Sequence, residues 1–108
     1  MKTDRFIGLP WVQYGADWSG VDCWGLVTLF YREEMGIAIP QSGRGNGFAE
    51  VVLPREKDVV MFVGHEGWHA GIFTDYGLLH VREGQLSKIS PMKTFRHMRL
   101  QQFFRWAK

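Results

Sequence analysis

Apolar positions between residues 23 and 31 recur at intervals of three and four, which predicts a helix with one buried face. The positions on this face are Cys23, Leu26, Val27, Phe30 and Tyr31. Asp22 is suited to cap the start of this helix, and Gly36 is suited to end it. The charged residues 32–34 then fall on the solvent side.

Beyond this helix the pattern changes to short apolar runs separated by turn residues, which predicts strands at 59–63, 69–74 and 78–82. The stretch 4–20 is predicted to be an ordered irregular segment, and the glycine-rich stretch 40–49 a loop. The segment 96–106 fits either a closing strand or a short helix. A helix followed by antiparallel strands predicts an α+β fold.

The composition fits one globular domain over residues 1–108, because hydrophobic residues make up 45% of the chain. The net charge is +2, and Lys and Arg are spread along the sequence, so we expect no nucleic-acid partner. The chain contains no long apolar run, so we expect neither membrane insertion nor a signal peptide.

Cys23 is the single cysteine, which excludes an internal disulfide. It falls in the first turn of the predicted helix, where backbone N–H groups lack intrahelical partners and the helix dipole presents partial positive charge. Both effects favour a reactive thiolate, and the Cys23 N–H is suited to face a developing oxyanion. A lone cysteine is more often a buried apolar residue, so a nucleophile here needs a base close by.

His69 and His80 lie in consecutive predicted strands, and the loop between the strands decides whether the two side chains meet. A two-residue loop at 75–76 pairs Thr74 with Gly77. His80 then lies diagonal to His69 on the same face, within reach of it. A loop at 76–77 would keep the same face but move His80 one step further from His69, and a three-residue loop would place them on opposite faces. In the first register, His69 is the candidate base for the thiol and His80 orients its ring.

The motif H-E-x-x-H at residues 65–69 competes with this interpretation, because it is the signature of zinc metallopeptidases. That signature requires a helix, on which both imidazoles reach one metal ion. Gly67 and the β-branched and aromatic residues that follow it disfavour a helix. His65 and Glu66 are therefore predicted to lie in an exposed turn, with no metal bound.

Several short segments carry a family resemblance, the most specific being D-C-W-G-L at residues 22–26. The others include I-G-L-P-W at 7–11, D-V-V-M-F at 58–62, W-H-A-G-I at 68–72 and L-H at 79–80. In this order they resemble the NlpC/P60 family of papain-like cysteine peptidases, most closely the forms associated with phage tails and prophages. The resemblance covers residues 6–82 and implies a helix carrying the cysteine, packed on a small antiparallel sheet.

The resemblance also implies roles for three residues: Cys23 as nucleophile, His69 as base and His80 as the third, orienting residue. It implies cleavage of peptidoglycan stem peptides between D-glutamate and a diamino acid such as diaminopimelate, without a metal or organic cofactor. The implied partners are the stem peptide and other phage tail proteins. We therefore expect synthesis in the cytoplasm and association with a virion or tail.

The chain departs from the family pattern where many members have Pro-Tyr, whose tyrosine assists the oxyanion site. Here the pair is Pro-Trp, which makes the indole N–H of Trp11 a candidate donor. Gln13 and Tyr14 are further candidates, and Asp22 and Trp24, which flank the cysteine, are candidate substrate contacts. A second departure is that the usual Pro-Gly-Asp is replaced by P-R-E-K-D at 54–58.

Two other functions stay open at this point. The same cysteine–histidine chemistry serves amidases and acyltransferases that act on other substrates. A structural tail-tip subunit that retains these residues without using them is the alternative from another class.

Overall fold

A computed structural model describes residues 3–39, 47–64, 67–98 and 100–107 of the chain. Within these residues, one α-helix lies among short strands. The elements are β1 (Ala16–Asp17), β2 (Gly20–Val21), α1 (Cys23–Met35), β3 (Phe48–Val51), β4 (Val59–Gly64), β5 (Gly67–Thr74), β6 (Gly77–His80), β7 (Lys88–Ser90) and β8 (Leu100–Trp106), with 3-10 turns at Asp4–Phe6 and Met92–Phe95. The predicted α+β class is confirmed.

The main sheet is antiparallel and has six strands in the order β3-β8-β4-β5-β6-β7, while β1 and β2 form a separate small ribbon. Strands β4 to β7 are hairpin neighbours that follow the chain order. The last strand, β8, enters between β3 and β4 instead of closing an edge. The segment 96–106 therefore contains a strand that is central to the sheet.

The helix forms where the sequence predicts it and ends for the predicted reasons. A carboxylate oxygen of Asp22 accepts the backbone N–H of Gly25 at 2.7 Å, which satisfies one free donor of the first turn. Gly36 adopts a left-handed conformation with φ 66°, and its N–H bonds back to the last turn. The predicted apolar face is buried from Leu26 to Tyr31, and Cys23 is half-buried at its start.

Successive strand residues point to opposite sides of the sheet, which therefore has two faces. Different parts of the chain cover these faces. One face packs against α1 and includes Met61, Ala70, Ile72 and Leu79. The other face is covered by the segment between β7 and β8. Its cluster contains Val60, Phe62, Leu78, Phe95 and Met98.

Strand β5 pairs with β4 along the whole of β4, but its ladder with β6 covers only residues 72–74. Strand β6 ends at His80, and residues 67–71 of β5 extend beyond the ladder that joins the two strands. Gly71 permits a close approach at the point of divergence, because a side chain there would meet the Leu79 carbonyl at 2.7 Å. The separation of these two inner strands leaves a gap at one end of the sheet.

The predicted strands are confirmed with shifted ends, and four short strands were not expected: β1, β2, β3 and β7. The loop predicted over 40–49 was wrong at its end, since β3 begins at Phe48 and pairs with β8. Residues 40–46 lie outside the described part of the chain, as do His65 and Glu66. No helix among the described residues is long and apolar enough to cross a membrane.

Candidate active site

A cleft of about 710 Å³ opens where β6 diverges from β5. The start of α1 contributes Cys23 to its lining, and β5 contributes His69. Trp11 lies on one wall, and Arg82, in the segment after β6, lies on another. Cys23 comes from the side of the sheet that α1 covers, whereas His69 packs with residues of the opposite face. The gap between the strands brings both side chains to the same cleft.

The sulfur of Cys23 experiences opposing influences. Burial raises the pKa of the Cys23 thiol, and the nearby carboxylate of Asp22 raises it further. The backbone N–H groups of Ala70, Trp24 and Cys23 itself favour the thiolate and lower the pKa. Burial has the larger effect, so the pKa of the thiol lies above its ordinary value.

His69 and His80 meet as the two-residue loop predicts. Thr74 pairs with Gly77, and the two rings lie diagonally across β5 and β6, with His69 Nε2 and His80 Nδ1 3.0 Å apart. His80 Nε2 lies 2.8 Å from Ser90 Oγ on β7. Because Nε2 of His69 is engaged with His80, Nδ1 is the ring nitrogen left for the cleft.

Aromatic side chains enclose the histidine pair. The ring of Phe62 stacks on His69 with centroids 6.3 Å apart, and Phe95 stacks on His69 at 6.2 Å. Phe95 also meets His80 edge-on at 5.0 Å. His69 is 9% exposed and His80 is 2% exposed, so both rings are shielded from water.

This enclosure keeps both imidazoles neutral. Burial lowers the pKa of His69 to about 4, and the cation of Arg82 adds to the effect. Burial likewise lowers the pKa of His80 to about 3, with smaller contributions from His69, Arg82 and Lys88. At neutral pH each ring therefore carries one proton.

The thiolate that the helix start was expected to favour is not the favoured form of Cys23 in this structure. The N–H groups do face the sulfur, but desolvation of the thiol outweighs them. The cleft is therefore lined by a neutral thiol of Cys23 and a neutral imidazole of His69.

The other sequence-predicted residues occupy different positions. Trp11 lines the cleft, whereas Gln13 and Tyr14 have exposed side chains outside its lining. The carboxylate of Asp22 accepts backbone N–H groups from Gly25 at 2.7 Å and Tyr14 at 2.9 Å, so it ties the N-terminal segment to the helix. Trp24 is half-buried against the helix-side core.

Several residues at the site were not identified from the sequence. Arg82 lines the cleft, Ser90 contacts His80, and Phe95 packs on both histidines. His97 and Met98, before β8, also belong to the lining. The segment from residue 95 onward gave no functional signal in the sequence, because its proximity to the cleft depends on the insertion of β8 into the sheet.

The metallopeptidase alternative requires a helix through residues 65–69. His69 instead lies on β5, and its Nε2 contacts His80. Among the described ranges, no group of three or more histidine, cysteine or acidic side chains is arranged to hold a metal ion.

A cysteine at a helix start that shares a cleft with a histidine on an antiparallel sheet is the arrangement that papain-like cysteine hydrolases use. The chain belongs to the NlpC/P60 family, whose sequence model matches residues 8–105. No curated protein matched the sequence.

Two solved structures share this fold. The crystal structure of the NlpC/P60 domain of the peptidoglycan hydrolase SagA is 23% identical, with a TM-score of 0.72, over 94% of this chain and 90% of that one. An NlpC/P60 family protein from Bacillus cereus ATCC 10987 is 22% identical, with a TM-score of 0.76, over 95% of this chain. The chain spans 37% of the length of that second protein.

Proposed function

We propose that this chain is a cysteine peptidase that cleaves peptidoglycan stem peptides at the bond between D-glutamate and a diamino acid. Cys23 is the nucleophile, His69 the base and His80 the orienting residue. The observation that carries this function is the 3.0 Å contact between His69 Nε2 and His80 Nδ1, beside a cleft that also contains Cys23. Membership of the NlpC/P60 family and the fold shared with the SagA domain support it.

The reaction follows from the two neutral groups. Nδ1 of His69 takes the proton of the Cys23 thiol as the sulfur attacks the carbonyl carbon of the peptide bond. The imidazolium then protonates the departing amine, which leaves a thioester on Cys23. A water molecule, deprotonated by His69, hydrolyses the thioester and restores the thiol. The backbone N–H of Cys23 and the indole N–H of Trp11 are the candidate donors to the oxyanion.

The cleft is lined by one arginine, Arg82, and one glutamate, Glu83, and the arginine is suited to bind an acidic group of the peptide. Arg82 lines the cleft close enough to His69 for its cation to lower the pKa of that ring. Both D-glutamate and diaminopimelate carry a carboxylate that the stem peptide bonds leave free. We assign Arg82 the role of binding such a carboxylate.

From the sequence resemblance we further propose that the protein is part of a phage or prophage tail, assembled from cytoplasmic protein and in contact with other tail components. In that setting the enzyme would open the wall locally during genome entry or act in tail assembly. Two alternatives are tested with it: an acyltransferase or amidase on another substrate, and a non-catalytic tail subunit.

The decisive experiment incubates the wild-type chain and a Cys23→Ala variant with purified muropeptides and follows the products by mass spectrometry. We expect cleavage on the carboxyl side of D-glutamate by the wild type and a loss of at least about a thousandfold in the variant. Thermal unfolding checks that the variant is folded. Equal cleavage by both proteins would contradict the role of Cys23, and no cleavage by either would favour the tail subunit.

A further inference from the structure

The contact between the histidines continues to a third side chain across the sheet. His69 on β5, His80 on β6 and Ser90 on β7 are linked by contacts of 3.0 and 2.8 Å. His80 pairs with Lys88 on β7, and on the other side it lies one step beyond the last pair of the β5–β6 ladder, Ile72 with Leu79, next to Gly71. Each link is therefore a diagonal neighbour, and both diagonals run in the same direction.

We call the linked side chains of His69, His80 and Ser90 the relay. All three are buried. Ser90 is 7% exposed and His80 is 2% exposed. A buried ring N–H without an acceptor is destabilising. Ser90 Oγ is the hydrogen-bond partner of His80 Nε2, so the serine decides whether that ring nitrogen can carry a proton.

In the neutral state the relay has two proton arrangements. In the first, His69 Nε2–H donates to His80 Nδ1, and His80 Nε2–H donates to Ser90 Oγ. In the second, every hydrogen bond is reversed, and Nδ1 of His69 carries a proton and cannot take another. Only the first arrangement leaves His69 able to act as a base.

In the charged state a single arrangement remains. Once His69 has accepted the thiol proton, both of its nitrogens are protonated, and Nε2–H donates to His80 Nδ1. His80 then carries its proton on Nε2, and Ser90 Oγ must accept it. The aligned dipoles of the relay stabilise the cation on His69.

We propose that Ser90 is a positioning residue: its hydroxyl oxygen is the terminal acceptor of a relay that stabilises the imidazolium of His69. Its catalytic importance rests on the proposed function, whereas its effect on the two histidines does not. The titratable and charged groups around the relay are Cys23 and Asp22 at the helix start, Arg82 and Glu83 after β6, Lys88 on β7 and His97 before β8. The serine variants that test the proposal change none of these.

The test compares Ser90→Ala with Ser90→Thr, which retains a hydroxyl. The control is Ser87→Ala, since Ser87 is also buried, and its Oγ accepts from Leu9 N–H at 2.8 Å and donates to the Phe6 carbonyl at 2.6 Å, outside the relay. We measure Cys23 alkylation by iodoacetamide at pH 6 and pH 10. Removal of the terminal acceptor should lower the rate at pH 6 about tenfold, equivalent to a loss of about 1.4 kcal/mol. The rate at pH 10, where hydroxide ionises the thiol, should be unchanged.

A second readout is the protonation of the rings, followed by long-range ¹H–¹⁵N NMR spectra of the histidines. In the wild type and in Ser90→Thr, His80 should carry its proton on Nε2, and in Ser90→Ala this signature should weaken. If a cleavable muropeptide is found, kcat should fall about tenfold while KM is unchanged.

These readouts separate the inference from the proposed function. A wild type that cleaves no muropeptide overturns the proposed reaction, but a loss of alkylation at pH 6 confined to Ser90→Ala still supports the relay. Identical alkylation and NMR signatures in the wild type and Ser90→Ala would overturn the relay. An equal loss in Ser87→Ala would also overturn it, because the effect would then be one of general stability.

Discussion

Two groups of buried polar side chains lie in the same sheet and are stabilised in opposite ways. Asp58, just before β4, is 2% exposed and binds the guanidinium of Arg105 on β8 through both carboxylate oxygens, at 3.0 and 2.8 Å. It also accepts the N–H of Arg55 at 2.7 Å. The relay of His69, His80 and Ser90 is equally buried but carries no charge at rest.

The difference between the two groups lies in what each must do. The ion pair joins the turn before β4 to β8, and its complementary charges have fixed partners. The relay holds rings whose charged forms are disfavoured by burial, so a proton can arrive only when a partner charge forms beside it. The ion pair thus suits a structural role, whereas the relay can respond to proton transfer.

The largest effect is expected when the imidazole of His69, the proton acceptor for the Cys23 thiol, is removed. In the wild type, the alkylation rate of Cys23 should be nearly constant between pH 5 and 8, because transfer of the thiol proton to His69 does not change the net protonation of the pair. The rate should fall below pH 4, since the pKa of His69 is about 4 and a protonated ring accepts nothing more. In His69→Ala the rate at pH 6 should drop by roughly a hundredfold or more.

The shape of the profile provides the check on that variant. In His69→Ala, reactivity should rise about tenfold per pH unit until the thiol ionises, above the value of about 8.5 for free cysteine. A His97→Gln variant should retain the flat profile, because His97 lines the cleft without joining the relay. A wild type that titrates like the His69 variant would show that the two side chains do not exchange a proton.

The second prediction breaks the ion pair. Asp58→Asn should destabilise the fold by about 3 kcal/mol, because the buried carboxylate that accepts hydrogen bonds from Arg105 and from the Arg55 N–H is lost, while Arg105 itself is one-third exposed. The exposed pair of Arg5 and Glu34, at 2.9 Å, provides the matched control, and Glu34→Gln should cost less than about 1 kcal/mol. Urea unfolding at pH 7 measures both. Similar losses in the two variants would contradict the contrast drawn between buried and surface charge.

The third prediction concerns the stability of the neutral histidines as the pH falls. Their pKa values are about 4 and about 3 in the folded chain, against about 6.5 when unfolded, so the unfolded state binds more protons in the interval between. Stability is therefore fully present above pH 6.5 and is lost as the pH falls towards 3. Between pH 7 and 5 the loss should be about 3 kcal/mol.

Urea unfolding at pH 7, 6 and 5 measures this slope. A double variant, His69→Gln with His80→Gln, should show a flatter dependence even if it is less stable throughout. His97→Gln should retain the wild-type slope, since the His97 side chain is already exposed in the folded state. An unchanged slope in the double variant would mean that other groups govern the acid sensitivity.

Local signals predicted much of this structure. The helix has its cap at Asp22 and its end at Gly36 because these interactions span only a few residues. The meeting of the two histidines followed from a two-residue turn, which fixes the register of its own hairpin. The fold class and the contact between His69 and His80 were therefore predictable from the sequence.

Features that depend on distant pairing were not predictable from the same patterns. Strand β8 inserts beside β4, far from it in sequence, and this position brings the segment of Phe95 and His97 to the site. Ser90 follows β6 after the connection at residues 81–87, whose length fixes no register. The raised pKa of the thiol was missed because the N–H groups of a helix start are evident from position, whereas the burial of Cys23 is a property of the folded chain.

The smallest expected effect concerns Arg82, whose cation acts on His69 at one end of the neutral relay. Arg82→Gln should raise KM for an acidic stem peptide about tenfold, since a charged hydrogen bond contributes roughly 1.5–3 kcal/mol and part of it is screened in an open cleft. It should also raise the pKa of His69, because a cation that disfavours the imidazolium is removed. Arg82→Lys is the matched control and should retain most of the affinity, and amidation of the peptide carboxylates should remove the difference between wild type and Arg82→Gln. A KM that is unchanged in Arg82→Gln, with the pKa of His69 raised as expected, would mean that this arginine tunes the base without contacting the substrate.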